Sequence, residues 1–439
     1  SASCDRSAQR CAIAKMDTVD EIREQLENDD PWLSSITIAR DAGAYSLVPD
    51  YMNPYWPPDD NWEEDGISIG YNTGLTEFAF HGHEVYTDIP RKTLVKFLKA
   101  CAANRSIEKL SFLDCFSEGP LIGSTYFGSL SHFFARNHNL RSLHVHGCEA
   151  DDVYAIAEAL EIMAKHKNSL EHLHLQKSWG GLYDERYGQC YELRNGNNHL
   201  VNKFFTALSG HRSLKTLILM NNNVARYACK ALAALLRDPH CVLERLDLQE
   251  NAIDDVGANY LVGALAEENC TVREFHIGYN RLMSENGWQE IAPLLAKFTA
   301  FSTHQPLGEN IGSIFTDNLS RNMTLSNLEL SAGLSDDNVA ALMHAFIRNK
   351  VPLTELDIRG NGSITVRGIT EVANFLTSSN CGLKKLKFHL EDDGALTVIA
   401  DALRQNRTLT HLTCATPSSP STWNLFEQVL CDASTVETI

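Results

Sequence analysis

No run of apolar residues in the chain approaches the roughly 18 needed to cross a bilayer, so a membrane-spanning helix is not among the expected elements. The first residues, SASCDRSAQRCAIAK, have no initiating Met and no long apolar core of the kind a secretory signal carries. Cysteine occurs twelve times, yet no two are spaced C-x-x-C, and nothing suggests a zinc knuckle or a dithiol redox centre. A phosphate loop, an H-E-x-x-H helix and a dinucleotide-binding glycine fingerprint are equally absent. Carboxylates are plentiful, but none forms an enclosed pair, so neither catalysis nor a cofactor is expected. Positive charge is scarce: 38 Lys and Arg stand against 56 Asp and Glu, a formal net charge of -18. Phosphate binding is driven by Lys and Arg releasing counterions. Nucleic acid is therefore disfavoured, and a protein partner with a neutral or basic surface is favoured. With 44% hydrophobic and 21% charged residues, the chain has the balance of a folded protein rather than a disordered one.

One unit recurs through the chain. In residues 243–269, LERLDLQENAIDDVGANYLVGALAEEN, the residues Leu243, Leu246 and Leu248 fall at spacings of three and two, followed by Asn251 and Ile253. The alternation predicts a short strand turning its leucines inward. The Asn side-chain amide can satisfy backbone groups where the chain bends. Asp254 and Asp255 are candidate caps for a helix whose Val256, Tyr260, Leu261, Ala264 and Leu265 recur at three and four residues. Equivalent strands start at Leu75, Ile107, Leu140, Leu170, Leu214, Leu243, Val272, Phe298, Leu325, Leu353, Leu383 and Leu409. Ten of the eleven intervals lie between 26 and 33 residues and average 29, which makes coincidence untenable. The exception, Leu170 to Leu214, carries an insertion at 179–198. The repeat at Phe298 is the weakest, with Thr303 and Pro306 where Leu and Asn are expected.

Residues 1–31 read as an N-terminal helical cap containing an amphipathic helix at 17–28, which Asp29, Asp30 and Pro31 stop. Residues 32–418 read as one repeat domain, opening on an atypical repeat with Leu33, Ile36, Ile38 and Asp41. Residues 42–72, rich in Pro, Asp and aromatics, break the pattern and read as a long loop or capping excursion. Residues 419–439 read as a C-terminal capping helix.

The pattern L-x-x-L-x-L-x-x-N-x-I is that of leucine-rich repeats, and a repeat near 29 residues with full helices resembles the ribonuclease-inhibitor-like class of that family. The resemblance covers about residues 36–412. It implies an α/β solenoid of about 12–13 repeats, a horseshoe with an inner parallel β-sheet and outer helices, and a protein partner bound on the concave sheet.

On each strand the third, fifth and seventh repeat positions point away from the core. This places His144, His146, His172 and His174 on one face of neighbouring strands, with His144 beside His174. Three readings of the cluster stand: a zinc site, a pH-sensitive or polar contact patch, and solvated residues without a special role. The cluster has no carboxylate, Cys or metal-ligand spacing, so no metal is assigned. The two excursions carry aromatics that either pack as caps or frame the patch as partner-binding residues: Tyr45, Tyr51, Tyr55, Trp56 and Trp62 in one, Trp179, Tyr183 and Tyr187 in the other. Further along, Glu355 and Asp357 should lie beside Lys385 and Lys387, and Arg245 beside Glu274, as weak cross-strand pairs.

Cys241, Cys270 and Cys381 each precede a strand's first apolar residue by two, and Cys115 and Cys148 replace the ninth-position Asn. These positions suit small buried reduced thiols, which points to the cytoplasm or another reducing intracellular compartment. Asn-x-Ser/Thr triplets at Asn104, Asn269, Asn322 and Asn406 coincide with the join between helix and strand and read as repeat chemistry rather than glycosylation. The function expected is a non-catalytic binding scaffold or adaptor. A regulator resembling the GTPase-activating proteins of the Ran GTPase, though without their acidic tail, and an inhibitor of a cationic enzyme are the alternatives.

Overall fold

The computed structural model describes residues 19–29, 33–41, 44–48, 62–81, 91–113, 128–147, 150–166, 170–176, 198–303, 309–331, 333–389, 392–414, 419–432 and 436. They fall in two compact units, Ser1–Asn223 with Asp238–Leu243, and Val224–Arg237 with Glu244–Ile439. The first unit holds β1 (Ser35–Asp41), β2 (Ala44–Val48), β3 (Glu77–His81), β4 (Lys109–Leu113), β5 (Ser142–His146), β6 (His172–Gln176) and β7 (Thr216–Ile218). Their order in space is 7-6-5-4-3-1-2, and every pairing is parallel except β2 on β1. The second unit holds β8 (Arg245–Asp247), β9 (Glu274–His276), β10 (Ala300–Thr303), β11 (Asn327–Leu330), β12 (Glu355–Asp357), β13 (Lys385–Lys387) and β14 (His411–Thr413). These strands lie in sequence order and are parallel in every register described.

Alternation along the strands decides what is buried. Leu143 and Val145 of β5 are fully inside while Ser142, His144 and His146 are half-exposed. Helices supply the other side of each core. In Asp255–Leu265 the inward residues are Gly257, Ala258, Leu261, Ala264 and Leu265. This corrects the helix face expected from periodicity, because Val256 and Tyr260 are exposed. The inward stripe is set one residue later, where Gly257 lets the helix approach Cys229. Asp254 caps this helix by accepting the Gly257 N–H at 2.8 Å. Asp255 instead reaches the next repeat, accepting from the Ser284 N–H and hydroxyl at 2.8 and 2.6 Å. The same forward reach joins Asp336 to Thr365 and Asp393 to Ser419.

Two kinds of buried asparagine recur within the units. Ninth-position Asn222, Asn251, Asn280 and Asn361 are buried, and their amides hold the turn. Asn280 donates to the carbonyls of Leu248 and Ile277 and accepts the Ile253 N–H of the preceding repeat. Asn251 accepts from Val224 and Asn361 from Leu334 in the same way. At the helix-to-strand joins, buried Asn104, Asn322 and Asn406 donate to carbonyls 24 to 35 residues earlier and accept their own second and third following N–H groups. Asn269 departs from the expectation. It is exposed, and the next residue, Cys270, is buried.

The stretch read as a loop excursion at 42–72 contains two elements. Residues 44–48 form the antiparallel strand β2, and Trp62–Tyr71 is a helix. Its Gly66 and Gly70 lie so close to the helix Arg91–Cys101 that a Cβ would stand 2.6 Å from the Phe97 carbonyl oxygen and 2.4 Å from that of Ala100. The string Gly66-Ile67-Ser68-Ile69-Gly70 has the spacing of a nucleophile elbow. It lies inside this helix, with the Ser68 hydroxyl donating to the Glu64 carbonyl, and so forms no strand-to-helix elbow. Arg23, from the helix Val19–Glu27, clamps the buried Asp65 with two hydrogen bonds of 2.9 and 3.1 Å. The helix Pro420–Asp432 packs on Asp393–Leu403 at the other end of the chain.

Of the described cysteines, Cys101, Cys229 and Cys270 are buried and free, whereas Cys241 and Cys381, expected inside, are only half-buried. Burial pushes the Cys101 and Cys229 thiols up, which keeps them protonated and inert as nucleophiles. Cys115 and Cys148 lie outside the described residues. Among the described residues no helix is long and apolar enough to cross a membrane.

Candidate functional site

The sheet face of the first unit that turns away from the leucines brings the four histidines together as the register requires. His144 pairs with His174, Ser142 with His172, and His146 with Gln176. Strand β7 sets Ile218 next to His174 and Thr216 next to His172. The His144 and His174 rings stack with centroids 3.9 Å apart and planes 5° from parallel. Parallel stacked rings direct their nitrogen lone pairs side by side rather than toward a common point. Among the described residues no group of three His, Cys, Asp or Glu could hold a metal ion.

Burial, reinforced by the neighbouring His146 and Lys109 charges, pushes His144 down to about 4, so the ring is neutral near pH 7. Lys109 is itself tied to Glu77 at 2.9 Å. The His144 Nε2 has no hydrogen-bond partner. Protonation links this site to stability. The unfolded chain takes up a proton at this histidine near 6.5, whereas the folded chain does so only near 4, so acid in that window favours unfolding. The contribution is fully present above 6.5 and is lost as the pH falls toward 4. A His144→Gln variant is therefore expected to lose less melting temperature than the native chain between neutral and mildly acidic pH. Thermal unfolding at both pH values checks this, and equal losses in the two proteins would remove the histidine from the account.

In the second unit several polar residues of the same face are covered. Asp247, Gln249, Ser302 and Asp357 are buried. The Gln249 amide donates to the Ser302 hydroxyl at 3.3 Å, and that hydroxyl donates to Glu329 at 2.9 Å. Arg359 grips Asp357 through Nη2 at 2.6 Å and Nε at 3.0 Å. Burial pulls the Asp357 carboxyl up, but hydrogen bonds and charge from Arg359, with a hydrogen bond to Glu329, leave it below the usual carboxylate range. Side chains on adjacent strands shield one another here, which a single-strand alternation rule does not foresee. The cross-strand pairs do form, Lys385 to Glu355 at 2.8 Å and both Lys387 to Asp357 and Arg245 to Glu274 at 3.7 Å. The two exposed pairs, Lys385 with Glu355 and Arg245 with Glu274, are each worth well under about 1 kcal/mol.

Tyr51, Tyr55, Trp56, Trp179, Tyr183 and Tyr187 lie outside the described residues. Tyr45 pairs through its backbone with Arg40 in the β1–β2 hairpin, and Trp62 opens the helix that follows.

Residues 240–262 and 350–373 match the family description "Leucine Rich repeat". The chain is 27% identical over 214 residues to the mouse (Mus musculus) NACHT, LRR and PYD domains-containing protein 14, an alignment that covers 46% of this chain and 21% of that protein's length. The chain is a leucine-rich-repeat protein. Among solved structures, a chain of the yeast Rad7 and Elc1 complex is 14% identical, with a TM-score of 0.43 and coverage of 83% of this chain and 86% of that one. The leiomodin-1 actin-binding site 2 is 21% identical, with a TM-score of 0.27 and coverage of 33% and 88%.

Proposed function

We propose that this chain is a non-catalytic protein-binding scaffold of the ribonuclease-inhibitor-like class, taking its partner on the sheet face opposite the leucines. The observation that carries the reading is the first unit's patch, where His144, His146, His172 and His174 stand on adjacent strands with a stacked pair at its centre, of which the His144 ring is neutral near pH 7. Neutral imidazoles offer flat apolar faces together with hydrogen-bonding edges and cost less to desolvate than charged groups. The expected framing residues are Tyr55, Trp56, Trp179, Tyr183 and Tyr187. A partner with a neutral or basic surface fits a chain of formal charge -18. A reducing intracellular compartment fits the free buried thiols.

The test is affinity purification with the native chain and with a His144→Glu, His174→Glu variant, each checked for unchanged helix content and melting temperature. Proteins recovered by the native chain and absent from the variant's eluate are the expected result. Identical recovery from both, at equal folding, would move the binding face elsewhere.

A further inference from the structure

The first unit departs at one helix-to-strand join from a design used at several others. Asn104, Asn137, Asn322 and Asn406 are buried three residues before the first apolar residue of a repeat strand. Each donates to a carbonyl of an earlier repeat and accepts the N–H of that apolar residue, at 2.9, 2.9, 2.7 and 2.8 Å in turn. His211 holds the same place before Leu214 and is 6% exposed. Its Nε2 bonds the Leu160 carbonyl of the helix Ala150–Lys165 at 3.0 Å, so donation is kept. Acceptance is lost. The Leu214 N–H turns instead to the His211 backbone carbonyl at 3.3 Å, and the ring's Nδ1 has no partner.

A carbonyl only accepts, so Nε2 carries the ring's hydrogen and Nδ1 keeps a lone pair. A proton added there becomes a buried, charged donor with no acceptor, which costs more than a neutral acceptor left unmet. An asparagine has no such second state. Burial pushes the basicity of His211 down, and the Leu160 carbonyl offsets part of the shift. Gly210 brings the join so close to the same helix that a Cβ would stand 2.8 Å from that of Ala164. The titratable side chains of that helix near Leu160 are Glu158, Glu161 and Lys165, with His166 after them. Lys203 of the helix Asn198–Leu208 is bound to Glu158 at 3.0 Å, Glu171 before β6 is held by Arg141 and Lys215, and Arg212 is exposed. None of these charges enters the shift at His211.

We propose that His211 is an acid-operated latch: a proton on its ring frees the join that leads into β7, and with it the strand flanking the histidine patch. The connection is short. The Ser213 hydroxyl donates to the Leu170 carbonyl at 2.9 Å, and the Lys215 and Thr216 N–H groups both donate to the Glu171 carbonyl. Strand β7 then sets Thr216 beside His172 and Ile218 beside His174. Burial fixes the sign. An opened join takes up the proton near 6.5 and the closed one only at lower pH, so the latch holds above 6.5 and loosens as the pH falls below it. The opening stands apart from the function proposed above, whereas its effect on partner capture rests on that reading.

The test is hydrogen exchange of the full chain without a partner, read by mass spectrometry on peptides covering residues 211–218 and corrected for the intrinsic pH dependence of exchange. In the native chain, protection of the Leu214, Lys215 and Thr216 amides is expected to fall severalfold between about pH 7.5 and about pH 5.5, with about tenfold as the limit for one proton taken up near 6.5. His211→Asn and His211→Gln, two neutral amides, are expected to hold their protection across that range, so that a folding defect in one does not decide the outcome. His144→Gln is expected to show the native loss. Constant protection in the native chain, an acid loss in both amide variants equal to the native one, or a loss abolished by His144→Gln would each overturn the latch. Proteins captured at neutral pH are expected to leave the native chain in mild acid and to stay on His211→Gln. Equal retention by both would overturn the link to capture, and the absence of any captured protein would count against the binding face while the exchange result stands.

Discussion

Replacing Asn280 by Ala is expected to lower the unfolding free energy by about 4 kcal/mol, because it strands buried backbone groups worth about 1–3 kcal/mol each. The amide serves three of them, the Ile253 N–H at 3.1 Å and the carbonyls of Leu248 and Ile277 at 2.9 and 2.8 Å, and is itself fully buried. Leu248 also receives the Asn251 amide, so its carbonyl is the least affected. Asn280→Asp keeps the shape but turns a carboxylate oxygen toward two carbonyls, and is expected to cost at least as much near neutral pH. Asn269→Ala, at an exposed join, should stay within about 0.5 kcal/mol of native. Urea unfolding followed by tryptophan fluorescence measures all three, with Trp288 as a buried reporter in the next helix. A cost for Asn280→Ala no larger than that for Asn269→Ala would show that the ladder does not hold the turn.

Phe301→Ala is expected to cost about 4 kcal/mol, near the middle of the range for emptying a buried aromatic site. Phe301 stands where β10 takes its inward leucine, aligned with Phe275 of β9 and Leu328 of β11. Its ring lies 6.3 Å from Phe298, stacked, 5.9 Å from Phe315, edge-on, and 6.5 Å from Phe275. Trp288 closes on Phe315 at 6.0 Å. This aromatic cluster offsets what the repeat lacks elsewhere, with Thr303 in place of a strand leucine and Pro306 in place of the asparagine. Phe301→Leu restores the common residue and should cost about 1–1.5 kcal/mol. The same urea measurement distinguishes the two, and a smaller loss for Ala than for Leu would contradict the packing account.

The strand residues were legible because burial acts on them one at a time. Leu246 and Leu248 are fully buried, as are their counterparts Leu143 and Val145, Leu173 and Leu175, and Phe275 and Ile277, so an apolar side chain recurs at both positions. The ninth-position asparagines were legible for a similar reason, since no other side chain donates and accepts in that geometry. The helix Trp62–Tyr71 was hidden because it packs through Gly66 and Gly70, residues that elsewhere mark chain breaks, and buries Asp65 against Arg23. The left-handed eighth position was hidden because Gly147, Asn221, Glu250 and Tyr279 share a backbone conformation and no side-chain property. For the candidate site, the register that sets His144 beside His174 followed from repeat spacing alone. Their stacking and the loss of basicity at His144 depend on neighbours three strands wide, and no single strand encodes them. The hydrogen-bonded chain from buried Gln249 and Ser302 to half-exposed Glu329 escaped notice for the same reason.

The reach of Asp255, Asp336 and Asp393 toward the following helix, set against the backward reach of Asn251, Asn280 and Asn361, gives the array a polarity. A cut between two repeats leaves unanswered carboxylates on one side and, on the other, helix starts and a buried asparagine that have lost their partners in the preceding repeat. Lengthening is correspondingly simple. A grafted copy needs a hydroxyl where its helix begins and an asparagine where its strand ends, and each new joint then reproduces bonds already made elsewhere in the chain.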